Sequence, residues 1–131
     1  MLRVLVVEDD QDNADSLALL LRLGGHDVEV TADGLSALQA VQSAQPDVVL
    51  LDIGLPKLDG WHVAKEIRQH RNGKRRPLII AVTGYGDQPS RLRSYESGID
   101  LHLTKPVNPV ELEDLLKRYR AIMEDPKWSP A

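Results

Sequence analysis

The sequence predicts a doubly wound α/β fold, (βα)5, built on a five-stranded parallel sheet in the order 2-1-3-4-5. Three observations carry that prediction. First, short apolar runs alternate along the chain with segments of helical period. Second, three of those runs end in ionised residues: Val4-Leu5-Val6-Val7 leads into Glu8-Asp9-Asp10, Val48-Val49-Leu50-Leu51 into Asp52, and Leu101-His102-Leu103-Thr104 into Lys105. Buried strands have no use for terminal charge. The pattern fits neighbouring parallel strands whose carboxyl ends line one crevice, where open α/β sheets place their ligands. Third, Leu78-Ile79-Ile80-Ala81-Val82-Thr83 is apolar without alternation, as a strand covered on both faces must be. Right-handed crossovers that cover both faces then give the strand order.

Element by element, Val4–Val7 is the first strand. Asp12 is expected to cap a helix whose apolar positions Ala14, Leu17, Ala18 and Leu21 follow the i, i+3, i+4, i+7 spacing, and Gly24-Gly25 stops it. Asp27–Thr31 alternates like a half-exposed edge strand. Asp33 opens a second helix through Ala37, Leu38 and Val41, which Gln45-Pro46 breaks before the strand Val48–Asp52. A loop, Ile53–Asp59, leads into a helix from about Gly60 to His70, with Asp59-Gly60 as its turn and start. Pro77 introduces the fourth strand. A short polar helix near Gln88–Ser97 ends at Gly98, Ile99–Thr104 is the fifth strand, and the last helix, from about Asn108, carries Leu112, Leu115, Leu116, Tyr119 and Met123 on one stripe.

Composition narrows the function. The chain has 131 residues, the length of one domain able to bury a core, with 27% charged and 42% hydrophobic residues. A net charge of −4 gives no reason to expect nucleic acid or an anionic membrane as a direct partner. No cysteine is present, so there is no disulfide framework and no thiolate metal site. Met1-Leu2-Arg3 enters a strand at once, which leaves no room for a signal peptide, and no apolar stretch approaches the ~20 residues of a membrane span. A cytoplasmic location is expected. Lys74-Arg75-Arg76 reads as a solvated loop run, and His26, His62 and His70 show no metal-ligand spacing.

Carboxylates converging at one sheet end repel one another unless a cation sits among them. The ends of the first and third strands therefore read as a cation site beside a reactive aspartate, Asp52. Four segments then point to a family: Val7-Glu8-Asp9-Asp10, Leu51-Asp52-Ile53-Gly54-Leu55-Pro56-Lys57-Leu58-Asp59-Gly60, Val82-Thr83-Gly84 and Leu103-Thr104-Lys105-Pro106. In this order, each at the end of its strand, they resemble the receiver domain of two-component response regulators, over about residues 3 to 120. The resemblance implies a flavodoxin-like receiver domain over residues 1–123, followed by a loosely ordered tail, 124–131.

It implies a chemistry as well. Asp52 matches the aspartate that takes a phosphoryl group from a phosphohistidine and holds it as an acyl phosphate. Glu8 and Asp9 match the acidic pair that holds Mg²⁺, with Mn²⁺ as an alternative ion, and the Gly54 carbonyl and Asp52 complete the protein's ligands. Lys105 matches the point charge on a phosphoryl oxygen, and Thr83 the hydroxyl that moves toward it. The Lys105–Pro106 bond is a candidate cis peptide. A histidine kinase or histidine phosphotransfer domain is the implied donor, docking near the first helix over Asp52. The downstream protein would be met by the helix Gln88–Ser97, strand Ile99–Leu103 and the last helix.

The chain departs from the family pattern at the switch. The position three before the lysine is commonly an aromatic that turns inward; here it is His102, which would make switching sensitive to pH. Glu8 stands where aspartate is commoner. Gly54 and Tyr85 flank the path of a hydrolytic water, the first without a side chain to position it and the second able to shield the phosphoryl group, so slow self-dephosphorylation is expected. Other classes fit less well. A dehalogenase-like phosphatase needs a second aspartate where Gly54 stands, and a dinucleotide-binding turn would be glycine-rich where Glu8-Asp9-Asp10 stands. A degenerate receiver that acts only as an interaction module would lack the acidic pair, the aspartate or the lysine. The segments around Asp52 and Thr83, with His102, are similar to receivers at the C-termini of hybrid histidine kinases. Because the chain ends soon after the last helix, a stand-alone receiver or the receiver of a larger protein is expected.

Overall fold

The structure is a computed structural model, described here for residues 1–55, 59–69, 76–84 and 91–127, without the side chains of 91, 92 and 95. Five strands, β1 (Arg3–Val7), β2 (Asp27–Thr31), β3 (Val48–Asp52), β4 (Leu78–Thr83) and β5 (Leu101–Thr104), form one parallel sheet in the order β2-β1-β3-β4-β5. Helices α1 (Gln11–Leu23), α2 (Gly34–Ala44), α3 (Gly60–Gln69), α4 (Arg91–Ser97) and α5 (Pro109–Glu124) alternate with them. The predicted class, strand order and element sequence are those observed.

Alternation along each strand sorts the core into two layers. Leu5, Val7, Val49, Leu51, Ile79 and Ala81 face α2 and α3, where Ala37, Ala40, Val63, Ala64 and Ile67 meet them. Val4, Val6, Val48, Leu50, Ile80, Val82 and Leu103 face α1 and α5, against Ala18, Leu21, Leu112 and Leu116. β3 is buried throughout, while β2, at an edge, buries only Val28 fully.

The boundaries show where local chemistry differs from the sequence reading. The N-cap of α1 is Asp10, whose carboxylate accepts from Asn13 N–H at 3.0 Å; Asp12 sits in the first turn, where its charge still suits the helix dipole. Asp33 caps α2 as expected, and Gln45 ends it in the left-handed region at φ 48°. Asn108 caps α5. β5 begins at Leu101, because Ile99 N–H closes the end of α4 on the Ser94 carbonyl at 3.0 Å. His70 and Gln88, expected ends of α3 and α4, lie outside the described residues, as do Pro56, Lys57, Leu58, Lys74, Arg75, Tyr85 and positions 128–131 of the tail. α5 runs to Glu124, the first residue of that tail, and Asp125 then accepts from Lys127 N–H at 2.9 Å.

Two polar clusters tie the amino end of the sheet together. His26 Nδ1 accepts from Leu2 N–H at 3.4 Å, and its Nε2 lies 3.4 Å from Glu113 of α5, so this histidine is structural. Asp100 accepts from Arg68 at 2.7 Å, Arg76 at 2.9 Å and Ile79 N–H at 2.9 Å. Arg76 is thus paired, not merely solvated. Among the described residues no helix is long and apolar enough to cross a membrane.

Candidate functional site

The carboxyl ends of β1, β3 and β5 converge because β1 and β4 flank β3 and β5 lies beyond β4. Glu8 follows β1 directly and is held by its N–H on the Thr31 carbonyl at 3.0 Å. Asp52 is the last residue of β3. Lys105 follows β5, its N–H on the Thr83 carbonyl at 2.7 Å, and precedes a cis peptide to Pro106, the isomer expected there.

These anchors bring four ionisable side chains together. Glu8, Asp9 and Asp52 each offer a carboxylate oxygen, and the three lie within 4.8 Å of one another. Lys105 Nζ donates to Glu8 Oε1 at 2.7 Å and to Asp52 Oδ2 at 3.4 Å. Glu8 and Asp52 are buried, Asp9 is exposed, and the rim they share with Lys105 opens on a cavity of about 320 Å³ walled mainly by Val6, Leu17, Leu50, Val82 and Val107. Asp10 is excluded from the cluster because its carboxylate is committed to capping α1.

The electrostatics follow from that crowding. Burial pushes the Glu8 carboxyl above its ordinary value, and a hydrogen bond with Asp52 and the Asp52 charge push the same way; Lys105 and the Asp10 N–H only partly offset them. Burial pulls Lys105 down, but its hydrogen bond to Glu8 and the charges of Asp52 and Glu8 outweigh it and hold the ammonium above its usual range. Among the described residues, three carboxylates face one ammonium. An all-oxygen donor set of this kind suits a hard divalent cation such as Mg²⁺, which takes carboxylates and keeps several waters.

The turn after β3 is shaped around Asp52. Gly54 N–H donates to Asp52 Oδ1 at 2.9 Å, and a side chain at Gly54 would meet that oxygen only at 3.6 Å, an ordinary contact. Gly60 is different. A Cβ there would lie 2.8 Å from Ile53 Cα and 2.9 Å from the Asp52 carbonyl, so only glycine lets α3 begin against this backbone. Thr83, buried at the end of β4, donates weakly to the Leu103 carbonyl at 3.4 Å. His102 pairs in register with Ala81, which puts it on the same face of the sheet as Thr83.

One group of contacts carried no sequence signal. Trp61 Nε1 donates to Ser94 Oγ at 3.0 Å, Arg93 lies 4.2 Å from the centre of the Trp61 ring, and Arg93 pairs with Asp59 at 3.3 Å. The partners are about thirty residues apart and no spacing rule links them.

Comparison with known proteins decides the family. The sequence model of the response regulator receiver domain matches residues 4–117, most of the chain. The chain is a receiver domain of that family. Among curated relatives, it is 35% identical over 126 residues to the response regulator MprA of Mycobacterium avium, and 32% identical over 123 residues to the DNA-binding dual master transcriptional regulator RpaA of a Synechocystis strain. These alignments cover 96% and 94% of the chain but 53% and 49% of the relatives, so this receiver spans about half their length. Among solved structures, a response regulator from Chloroflexus aurantiacus superposes with a TM-score of 0.82 at 35% identity, over 92% of this chain and 98% of that one. The receiver domain of the sensor histidine kinase PA1611 from Pseudomonas aeruginosa, solved with a magnesium ion in its active-site cleft, gives 0.81 at 34% identity, with coverages of 92% and 98%. The receiver is thus a two-component signalling domain whose acidic cluster is able to hold a metal.

Proposed function

We propose that Asp52 accepts a phosphoryl group from the phosphohistidine of a histidine kinase or phosphotransfer domain, in a Mg²⁺-dependent reaction. The observation that carries this is the seat of Asp52: a buried carboxylate at a strand end, within reach of two further carboxylates and of the Lys105 ammonium, which it shares with Glu8. An Asp52 carboxylate oxygen attacks phosphorus. The bond between phosphorus and the imidazole nitrogen breaks, its electron pair returns to that nitrogen, and the imidazole takes up a proton; the product is an acyl phosphate. Glu8, Asp9, Asp52 and the Gly54 carbonyl would hold the metal, Mg²⁺ or Mn²⁺, which when bound offsets charge on the phosphoryl oxygens. Lys105 shifts its donated hydrogen bond from the carboxylates to a phosphoryl oxygen. Thr83 leaves the weak bond to Leu103 for another, which alters the face made by α4, β5 and α5 where a downstream protein binds. His102, on the same face of the sheet as Thr83, stands where the switch aromatic is commoner.

Relatives support two settings for this relay. An attached output module, such as the one that makes RpaA DNA-binding, would be governed through the α4–β5–α5 face; in a kinase such as PA1611 the phosphoryl group would pass on to a histidine. Slow loss of the phosphoryl group suits the second, and Gly54 supports it by placing no side chain beside Asp52 to orient water.

The test is intact mass after incubation with acetyl phosphate, with Mg²⁺ and with a chelator. A single Mg²⁺-dependent, base-labile phosphoryl adduct is expected, absent from Asp52→Asn. An adduct that persists in Asp52→Asn would move the acceptor elsewhere, and a lifetime of seconds in Mg²⁺ would refute slow dephosphorylation.

A further inference from the structure

The first turn of α3 touches the strand that ends in Asp52 and also grips α4. Gly60 N–H donates to the Ile53 carbonyl at 3.2 Å, and the missing Cβ leaves no slack between Gly60 and the Asp52–Ile53 backbone. Asp59 Oδ1 caps the helix on His62 N–H at 2.9 Å. The next residue, Trp61, points its indole N–H out of α3 to Ser94 Oγ of α4 at 3.0 Å, and Ser94 is only 2% exposed. Arg93 stacks its guanidinium 4.2 Å from the Trp61 ring centre and reaches back to Asp59 at 3.3 Å. The other end of α4 is fixed independently, with Arg68 donating to the Gly98 carbonyl at 2.7 Å and Ile99 N–H to the Ser94 carbonyl at 3.0 Å. One end of α4 is thus clamped by backbone carbonyls, while among the described side chains its middle is held to α3 by the buried Trp61–Ser94 hydrogen bond and the more exposed contacts of Arg93.

We propose that Trp61 is a positioning residue that couples the state of Asp52 to the position of α4, through its hydrogen bond to Ser94. The inference rests on Asp52 being the phosphoryl acceptor. Phosphorylation of Asp52 weakens it as acceptor for Gly54 N–H, now at 2.9 Å, and so loosens the turn from Asp52 to Gly54. Gly60 lies against that turn too tightly to stay behind, so the displacement enters the first turn of α3 and reaches Trp61. The Trp61–Ser94 bond is either made or broken, which gives the two-state element that coupling needs. This route to α4 runs along α3 and is separate from the one through Thr83 and His102. By linkage, weakening the bond must change how tightly the Asp52 site holds a phosphoryl mimic.

The experiment uses Mg²⁺ with beryllofluoride as the mimic, on the full chain carrying Trp128→Phe so that emission reports Trp61 alone of the two tryptophans. Emission is expected to shift on saturation, and Ser94→Ala to abolish most of that shift. Calorimetric titration should show Ser94→Ala and Trp61→Phe each changing beryllofluoride affinity about three- to tenfold in the same direction, and the double variant changing it no further. The two variants remove the same bond from opposite sides, so a fold defect in one does not mimic the pattern. A merely structural bond would lower both melting temperatures and leave affinity unchanged, and with an unshifted emission that result overturns the coupling. If beryllofluoride and Mg²⁺ do not bind the parent chain at all, the acceptor reading fails and the coupling falls with it.

Discussion

Asp100 at the amino end of the sheet and Asp52 at its carboxyl end make an instructive pair. Asp100 accepts from two guanidinium groups and a backbone N–H, and His26, at the other edge of the same end, is likewise matched to a carboxylate and an amide. Asp52 has Glu8 and Asp9 beside it, Lys105 shared with Glu8, and one backbone N–H. Both aspartates terminate or precede a strand and both belong to polar clusters, although Asp52 is buried and Asp100 is exposed. Only at Asp52 do the described carboxylates outnumber the cations beside them. Charge at a strand end is therefore not a functional signal in itself; charge left without its complement is, because folding retains such crowding only at some cost in stability.

The sharpest way to break the comparison is kinetic. Lys105→Ala removes the ammonium that touches Glu8 and Asp52 and should slow acyl phosphate formation from acetyl phosphate by about 100-fold, the usual scale for losing a charge-stabilising donor. Rapid quench with mass detection would measure it, and an unchanged rate would mean that Lys105 only balances charge. Next in size is stability at the other end. Asp100→Ala removes the counter-charge of Arg68, which keeps the Pro77 and Gly98 carbonyls as acceptors, and the acceptor of Ile79 N–H; it should destabilise the fold by about 2 kcal/mol in urea unfolding. A neutral result would show that the amino-end network is ornamental.

A smaller effect lies in pH. Glu8 holds its proton above the ordinary carboxylate value of 4.5 in the fold, so its contribution to metal-free stability is full below that value and is lost as pH rises through the folded value. Metal-free stability should therefore slope downward above pH 4.5 by an amount that Glu8→Gln removes, and Mg²⁺ should oppose that slope by displacing the proton. Urea titrations at several pH values, with and without chelator, would check the sign.

These contrasts also show what the sequence made legible. Strands with uninterrupted apolar runs, β3 and β4, were readable to within a residue because burial on both faces erases alternation. The site was readable because its charges sit at the ends of those runs. Helix starts were less so: Asp10 and Asp12 are equally good capping residues, and only the exit direction of β1 decides that Asp10 caps α1 while Glu8 and Asp9 remain for the cluster. The matched network of Arg68, Arg76 and Asp100 and the Trp61–Ser94 bond were not legible, since tertiary pairing between side chains 24 to 33 residues apart follows no period.

The central claim, that the carboxyl-end cluster is held in electrostatic deficit for a cation and a phosphoryl group, is tested most directly by thermal unfolding of the wild type and Asp52→Asn with Mg²⁺ and with a chelator. Asp52→Asn is expected to melt higher than the wild type without metal, by roughly 3 °C for a gain of about 1 kcal/mol, and Mg²⁺ to stabilise the wild type far more than the variant. An Asp52→Asn protein that melts lower without metal, yet gains as much from Mg²⁺ as the wild type, would contradict it.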